Sequence, residues 1–173
     1  MQADQQPASP PSVSRLPPLC VAVLCLAAVV LALISQYRFG MQPCPWCTLQ
    51  RLLFLLLAAA ATVCALGPDR WWGRLAAGVA FLFSVVGVAS ALWQHFVASR
   101  SGSCALTLAD RVLDGLGLFR LLPSVFEPKA SCAEAAVHLL GLPYEFWSLG
   151  LFTISGGMMV AALLKRSSSR MAA

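Results

Sequence analysis

Charge is what this sequence has least of. Only 11% of its 173 residues are Asp, Glu, Lys or Arg, while 59% are hydrophobic. Soluble domains average about 25% charged residues, so the shortage argues against a water-facing globule and for a chain dissolved in lipid. A clustered basic patch is also missing. The formal charge of +5 is scattered between apolar runs, which argues against a nucleic-acid partner. There is no second Cys-x-x-Cys knuckle, which a four-cysteine zinc site would need. No His follows the one Cys-x-x-Cys present, since Thr48 comes after Cys47, and this excludes a c-type haem attachment. No metal is therefore expected. Internal repeats and a separate soluble domain are absent as well.

What is present is a series of long apolar runs. Residues 1–18 are polar and carry five prolines, a composition that predicts a disordered tail. Residues 19–35 contain no charge at all, and a run of about 17–20 such residues spans a bilayer core. A cleaved signal peptide would have a shorter apolar core and a small-x-small cleavage site. Ile34-Ser35-Gln36-Tyr37-Arg38 offers none, so an uncleaved first span is expected. Further spans are predicted at about 44–66, 71–97 and 146–164, the last closed by Lys165 and Arg166. Gly67-Pro68-Asp69-Arg70 reads as a turn. Trp71, Trp72 and Trp93 fall near span ends, where amphipathic rings favour the headgroup level. The fold class is thus an all-α membrane protein, a bundle of four transmembrane helices with a short first outer loop (36–43) and a long second one (98–145). Within the long loop, residues 113–122 predict either an amphipathic segment on the membrane surface or a small turn packed over the bundle.

Basic residues set the orientation. The tails and the 67–74 turn carry Arg15, Arg70, Arg74, Lys165, Arg166 and Arg170 against Asp4 and Asp69, whereas residues 98–143 hold four basic and four acidic residues. The positive-inside rule therefore puts both termini (1–18 and 167–173) in the cytoplasm and loops 36–43 and 98–145 on the outer side. Four of the seven cysteines then face outward: Cys44, Cys47, Cys104 and Cys132. Cys20, Cys25 and Cys64 fall within spans, where a thiol is most simply a small inert apolar group.

Cys44-Pro45-Trp46-Cys47 opens the second span. Orphan N–H groups and the helix dipole favour a thiolate there. Pro45 suits a first turn, and the three-residue offset puts both sulfurs on one face. Arg51 lies one turn further in. A guanidinium inside a span costs about 2.5–3.5 kcal/mol on insertion scales and flags function, although one near the interface can lift its head to water. On the Cys47 face it would stabilise a thiolate or polarise a carbonyl oxygen on an oxidant. A bridge between Cys104 and Cys132 would be worth roughly 3–4 kcal/mol as a purely structural device. Beside an outward Cys-x-x-Cys, the same cysteines suit thiol–disulfide exchange.

The four spans, Gln42-Pro43-Cys44-Pro45-Trp46-Cys47 with Arg51 after it, a histidine (His95) ending the third helix, Ser131-Cys132-Ala133-Glu134 and Trp147-Ser148-Leu149 together resemble the DsbB family over about residues 16–166. The resemblance implies an enzyme, a quinone-dependent protein-disulfide oxidoreductase of the bacterial inner membrane. It implies a DsbA-like periplasmic thiol oxidase as partner and ubiquinone or menaquinone as electron acceptor. It implies redox-active pairs Cys44–Cys47 and Cys104–Cys132, with Cys47, Arg51 and His95 at the quinone. His95 could equally be an interfacial histidine with local hydrogen bonds. Gln50 stands where the family often has an acidic residue, which leaves a carboxylate's role there open. Two other bundles compete. A four-span scaffold of tetraspanin or claudin type explains Cys104 and Cys132 but not Cys44, Cys47 or Arg51. A vitamin-K-epoxide-reductase-like bundle carries its Cys-x-x-Cys late, whereas here it opens helix two.

Overall fold

The structure, a computed structural model, describes residues 15–67, 70–100 and 106–171. The polar stretch 1–14, Pro68-Asp69 of the predicted turn, and Cys104 lie outside the described residues. Among the described residues, four helices are long and apolar enough to cross a membrane: α1 (Leu16–Phe39), α2 (Pro45–Leu66), α3 (Arg70–Phe96) and, after three short helices, α7 (Tyr144–Met171). Around the ring, α1 packs on α2, α2 on α3, α3 on α7 and α7 on α1.

Helix ends depart from the apolar runs for local reasons. Pro17 and Pro18 fall in the first turn of α1 rather than in a tail, because a first-turn N–H has no intrahelical partner to lose. At its other end α1 runs four residues past the apolar stretch, to Gly40, whose φ of +66° turns the chain out of the helix. Apolarity decides what lies in lipid, but a helix continues until something stops it. As a result Gln36 sits on α1, buried, instead of in the loop. Likewise α7 begins two residues before the predicted span and extends beyond Lys165 and Arg166.

The second helix is the pivot. In its membrane-crossing window 56% of residues are buried inside the protein, against 28% in α1 and α7. Side chains such as Val23, Leu31, Leu82 and Ile154 are left exposed for lipid. In the middle of the bundle Phe54 of α2 stacks on Phe152 of α7, with ring centroids 4.0 Å apart and planes within 2°. Gly87 of α3 lets this happen: a Cβ there would clash with the Phe152 ring.

The long loop is folded onto the same end of the bundle as Cys44. After a 3-10 turn at Ala98–Arg100 come α4 (Leu108–Gly115), α5 (Leu118–Leu121) and α6 (Pro123–Phe126). Thr107 and Asp110 form a reciprocal capping box at the start of α4. Ala109, Leu113 and Phe126 are buried, with α4 and α6 against α2, whereas Leu116, Leu121 and Leu122 are exposed. The segment is therefore packed over the bundle by its inner face, and its outer face leaves these leucines exposed. A two-residue hairpin follows, β1 (His138–Leu139) and β2 (Leu142–Pro143), turning through Leu140 and Gly141 at positive φ.

Candidate redox site

Cys44 is the N-cap of α2, with extended backbone (φ −87°, ψ 167°), and Pro45 takes the first helical position. The cap geometry brings its sulfur back over the first turn. Cys44 Sγ accepts from the Cys47 backbone N–H at 3.2 Å and lies 2.6 Å from Cys47 Sγ. Thr48 tightens the same turn by donating to the Pro45 carbonyl at 2.8 Å. Cys44 is fully buried, while Cys47 is half-buried and lines a cavity.

Cys132 arrives from the long loop and meets the Cys44 sulfur. Two backbone features carry it there. The Pro43 carbonyl, next to Cys44, accepts from both Lys129 N–H (2.9 Å) and Ala130 N–H (3.3 Å). Beyond them, Ser131 and Glu134 form a second reciprocal box, with Glu134 Oε2 accepting from Ser131 N–H and Oγ–H at 2.9 Å each. The same hydrogen bonds hold the exposed Glu134 carboxyl below its ordinary value. The Cys132 thiol is also lowered, first by its hydrogen bond with Cys44 and further by the Trp46 backbone N–H, against the opposing effect of burial. A sulfur so supported is biased toward thiolate, the attacking form in exchange. Cys44 thus touches one sulfur on each side. The partner predicted for Cys132, Cys104, lies outside the described residues.

Arg51 is only 6% exposed. Its head is not lifted to water. Nη1 donates to Gln36 Oε1 at 2.7 Å and to the Val125 carbonyl of α6 at 2.8 Å. Nε is buried with no partner. Arg51 lines the same cavity as Cys47, a space of about 630 Å³ between α1, α2 and α7. Its walls are mainly apolar, from Ala28, Leu31 and Phe54 to Leu151, with Gln50 and Tyr144 near the arginine end.

His95 is not brought to this cavity. Its Nδ1 pairs with Glu145 Oε1 at 2.7 Å, and its ring lies edge-on to Phe96 and Phe146. Glu145, buried at the start of α7, requires such a partner in a low-dielectric setting. Of the residues predicted for the site, the fold therefore gathers Cys44, Cys47, Cys132 and Arg51 and leaves His95 to one side. It adds Gln36 and Gln94, which sequence reasoning passed over, and gives Gln50, noted there only for the acidic residue it stands in for, a partner. Gln36 holds Arg51, Gln94 of α3 donates to Cys47 Sγ at 3.3 Å, and Gln50 donates to Gln94 at 2.8 Å. The available signal was a glutamine on each of three apolar helices, since an uncharged polar side chain in a span usually hydrogen-bonds across helices.

Comparison with known proteins agrees with this geometry. The family model described as disulfide bond formation protein DsbB matches residues 14–163. The chain belongs to the DsbB family. It is 34% identical over 154 residues to disulfide bond formation protein B of Chromohalobacter salexigens, covering 83% of this chain and 89% of that one. It is 30% identical to the protein of the same name from Nitrosomonas europaea, covering 87% and 93%. Disulfide bond formation protein B 1 of Pseudomonas savastanoi is 29% identical, covering 84% and 86%. No solved structure matches the chain. As a DsbB-family protein this is a multi-pass membrane disulfide oxidoreductase, and the scaffold alternative is not favoured.

Proposed function

We propose that this DsbB-family chain reoxidises a DsbA-like periplasmic dithiol oxidase and delivers the electrons to a membrane quinone, ubiquinone or menaquinone. It works from the bacterial inner membrane with both termini in the cytoplasm. The observation that carries the proposal is the sequence of sulfurs ending at a cavity: Cys132 on Cys44, Cys44 on Cys47, and Cys47 on a wall shared with Arg51.

The cavity suits a quinone. Its walls are apolar enough for a prenyl chain, and the buried Arg51 Nε has no acceptor among the described residues, which a ring carbonyl oxygen would provide. When bound, a quinone supplies a sink for two electrons and two protons. Arg51 and Cys47 orient the ring end, and the α1 and α7 side chains exclude water from it.

The relay itself is thiol–disulfide exchange. A partner thiolate attacks Cys104 of a Cys104–Cys132 disulfide, forming a mixed disulfide and releasing Cys132 as thiolate. Cys132 then attacks Cys44. The Cys132–Cys44 bond forms, the Cys44–Cys47 bond breaks, and its electron pair stays on Cys47 beside the Arg51 cation. The partner's second thiol closes its own disulfide and frees Cys104, which in turn displaces Cys44 from Cys132. The net change is one partner dithiol oxidised and the Cys44–Cys47 pair left reduced; re-forming the Cys44–Cys47 bond releases the two electrons and two protons that a bound quinone would take.

The test adds a reduced DsbA-like protein to the purified, quinone-loaded chain and follows quinone absorbance. Turnover is expected in the wild type and lost in Cys47→Ser and Cys104→Ser. Retained turnover in either variant rejects the route.

A further inference from the structure

The relay leaves two buried carboxamides without a role. Gln50 of α2 and Gln94 of α3 are each only 4% exposed. Gln50 Nε2 donates to Gln94 Oε1 at 2.8 Å, and Gln94 Nε2 donates to Cys47 Sγ at 3.3 Å. A carboxamide has a donor end and an acceptor end. Two in series therefore transmit direction: the end that Gln50 turns toward Gln94 decides which end Gln94 turns toward the sulfur. In the direction observed, the sulfur is offered an N–H. A thiolate accepts such a bond, and the bond favours the charged form. With both amides reversed, the sulfur would face an oxygen, which favours the protonated thiol.

We propose that Gln94 is a further catalytic residue of the relay, donating the hydrogen bond that stabilises Cys47 as the leaving thiolate, and that Gln50 is the positioning residue that sets the direction of that bond. The proposal rests on the reading of Cys47 as the last sulfur of the relay. Its step is the one already balanced: as Cys132 bonds to Cys44, the electron pair of the Cys44–Cys47 bond moves to Cys47, where an N–H already points, and no proton need arrive. The support is separate from Arg51. That cation spends its Nη1 on Gln36 of α1 and Val125 of α6, whereas Gln94 comes from α3. Gln50 also lines the cavity, so the amide pair connects the cavity wall to the sulfur.

The chemistry singles out one substitution. A carboxylate at position 50 can only accept. In Gln50→Glu it would draw the Gln94 Nε2 to itself and leave Gln94 Oε1 facing Cys47. Shape and hydrogen-bond count are nearly preserved, but the polarity at the sulfur is inverted and a negative charge is added nearby.

The experiment uses the full chain purified in detergent, in a Cys44→Ser, Cys132→Ser background, so that Cys47 no longer shares its site with the Cys44 and Cys132 sulfurs. Its alkylation by iodoacetamide at neutral pH is followed by peptide-resolved mass spectrometry, since only the thiolate reacts. Gln94→Leu is expected to slow Cys47 alkylation about tenfold, the size of one hydrogen bond to a charged group. Gln50→Glu is expected to slow it at least as much, and Gln50→Leu less. Alkylation of Cys20, in the same digests, reports whether α1 packing has changed and should not move. Parent-rate alkylation in Gln94→Leu, or in Gln50→Glu, overturns the proposal. So does a slowing matched at Cys20, which would mark a general loss of packing. No quinone or partner protein is added, so a negative result here leaves the relay standing, and the turnover assay on Cys47→Ser tests the relay separately.

Discussion

At the end of the bundle where α2 begins, Gln36, Thr48, Gln50, Arg51, Gln94 and Glu145 are all buried, and each is tied to a named partner on its own or a neighbouring element. A few turns further along the same helix the buried side chains are Leu57, Ala58, Ala61 and Cys64, beneath the stacked Phe54 and Phe152. There the buried hydroxyl of Ser84 simply returns a bond to its own helix, at the Ala80 carbonyl. The contrast shows how a small membrane enzyme divides its labour. Lipid offers no water to satisfy a stray polar group, so polar residues are concentrated where they can satisfy one another, and the remaining length of helix is left to van der Waals packing.

The two halves should therefore fail in different ways. Phe152→Ala removes the stacking partner of Phe54 and should cost about 3–5 kcal/mol of stability. Its melting temperature in detergent should fall sharply, while turnover measured well below that temperature stays near wild type. A loss of turnover with unchanged melting would break the division. Arg51→Met should do the reverse. Removing the cation beside Cys47 is expected to lower turnover about 100-fold, or about 2.7 kcal/mol, with the melting temperature little changed. Gly87→Ala overpacks the Phe152 ring and should cost about 1–3 kcal/mol, again seen in melting and not in rate.

The smallest effect concerns the loop that delivers Cys132. The Glu134 carboxyl is held below its ordinary 4.5 by Ser131. A depressed carboxyl contributes its stabilisation fully above the ordinary value and loses it as pH falls through the lowered one. The protection of the Ser131 amide in hydrogen exchange should therefore differ between wild type and Glu134→Gln by about threefold at neutral pH, as for other exposed pairs. The difference should begin to shrink below 4.5 and vanish once the pH is below the lowered value. A difference that persists there would mean that the box does not depend on ionisation.

Much of this was legible in the sequence because it is local. Length and apolarity mark the spans, and Cys44-Pro45-Trp46-Cys47 carries its own helix start. Arg51 stands out by its cost alone. What was not legible depends on packing between distant segments. Gln36 was assigned to a loop because apolarity ends at Ser35, yet α1 continues to Phe39 and presents Gln36 to Arg51. Gln94 carries no mark of its own in the sequence, and only the packing of α3 on α2 sets it against Cys47. His95 was placed with the quinone by resemblance, and nothing in its neighbourhood in the chain announces Glu145, fifty residues away. The approach of Cys132 to Cys44 runs through the Pro43 carbonyl, an acceptor that every residue possesses and no sequence pattern marks.

The cavity beside Cys47 has one more consequence, for kinetics. Leu31 and Ile154 line it, yet they are 61% and 58% exposed, on the flank of α1 and α7 that faces lipid. Along this flank the cavity therefore opens toward the bilayer. A reactant entering there arrives by lateral diffusion, and its effective concentration is its mole fraction among the lipids. Diluting the membrane with inert lipid at constant bulk quinone should slow the enzyme, while diluting the suspension with buffer should not.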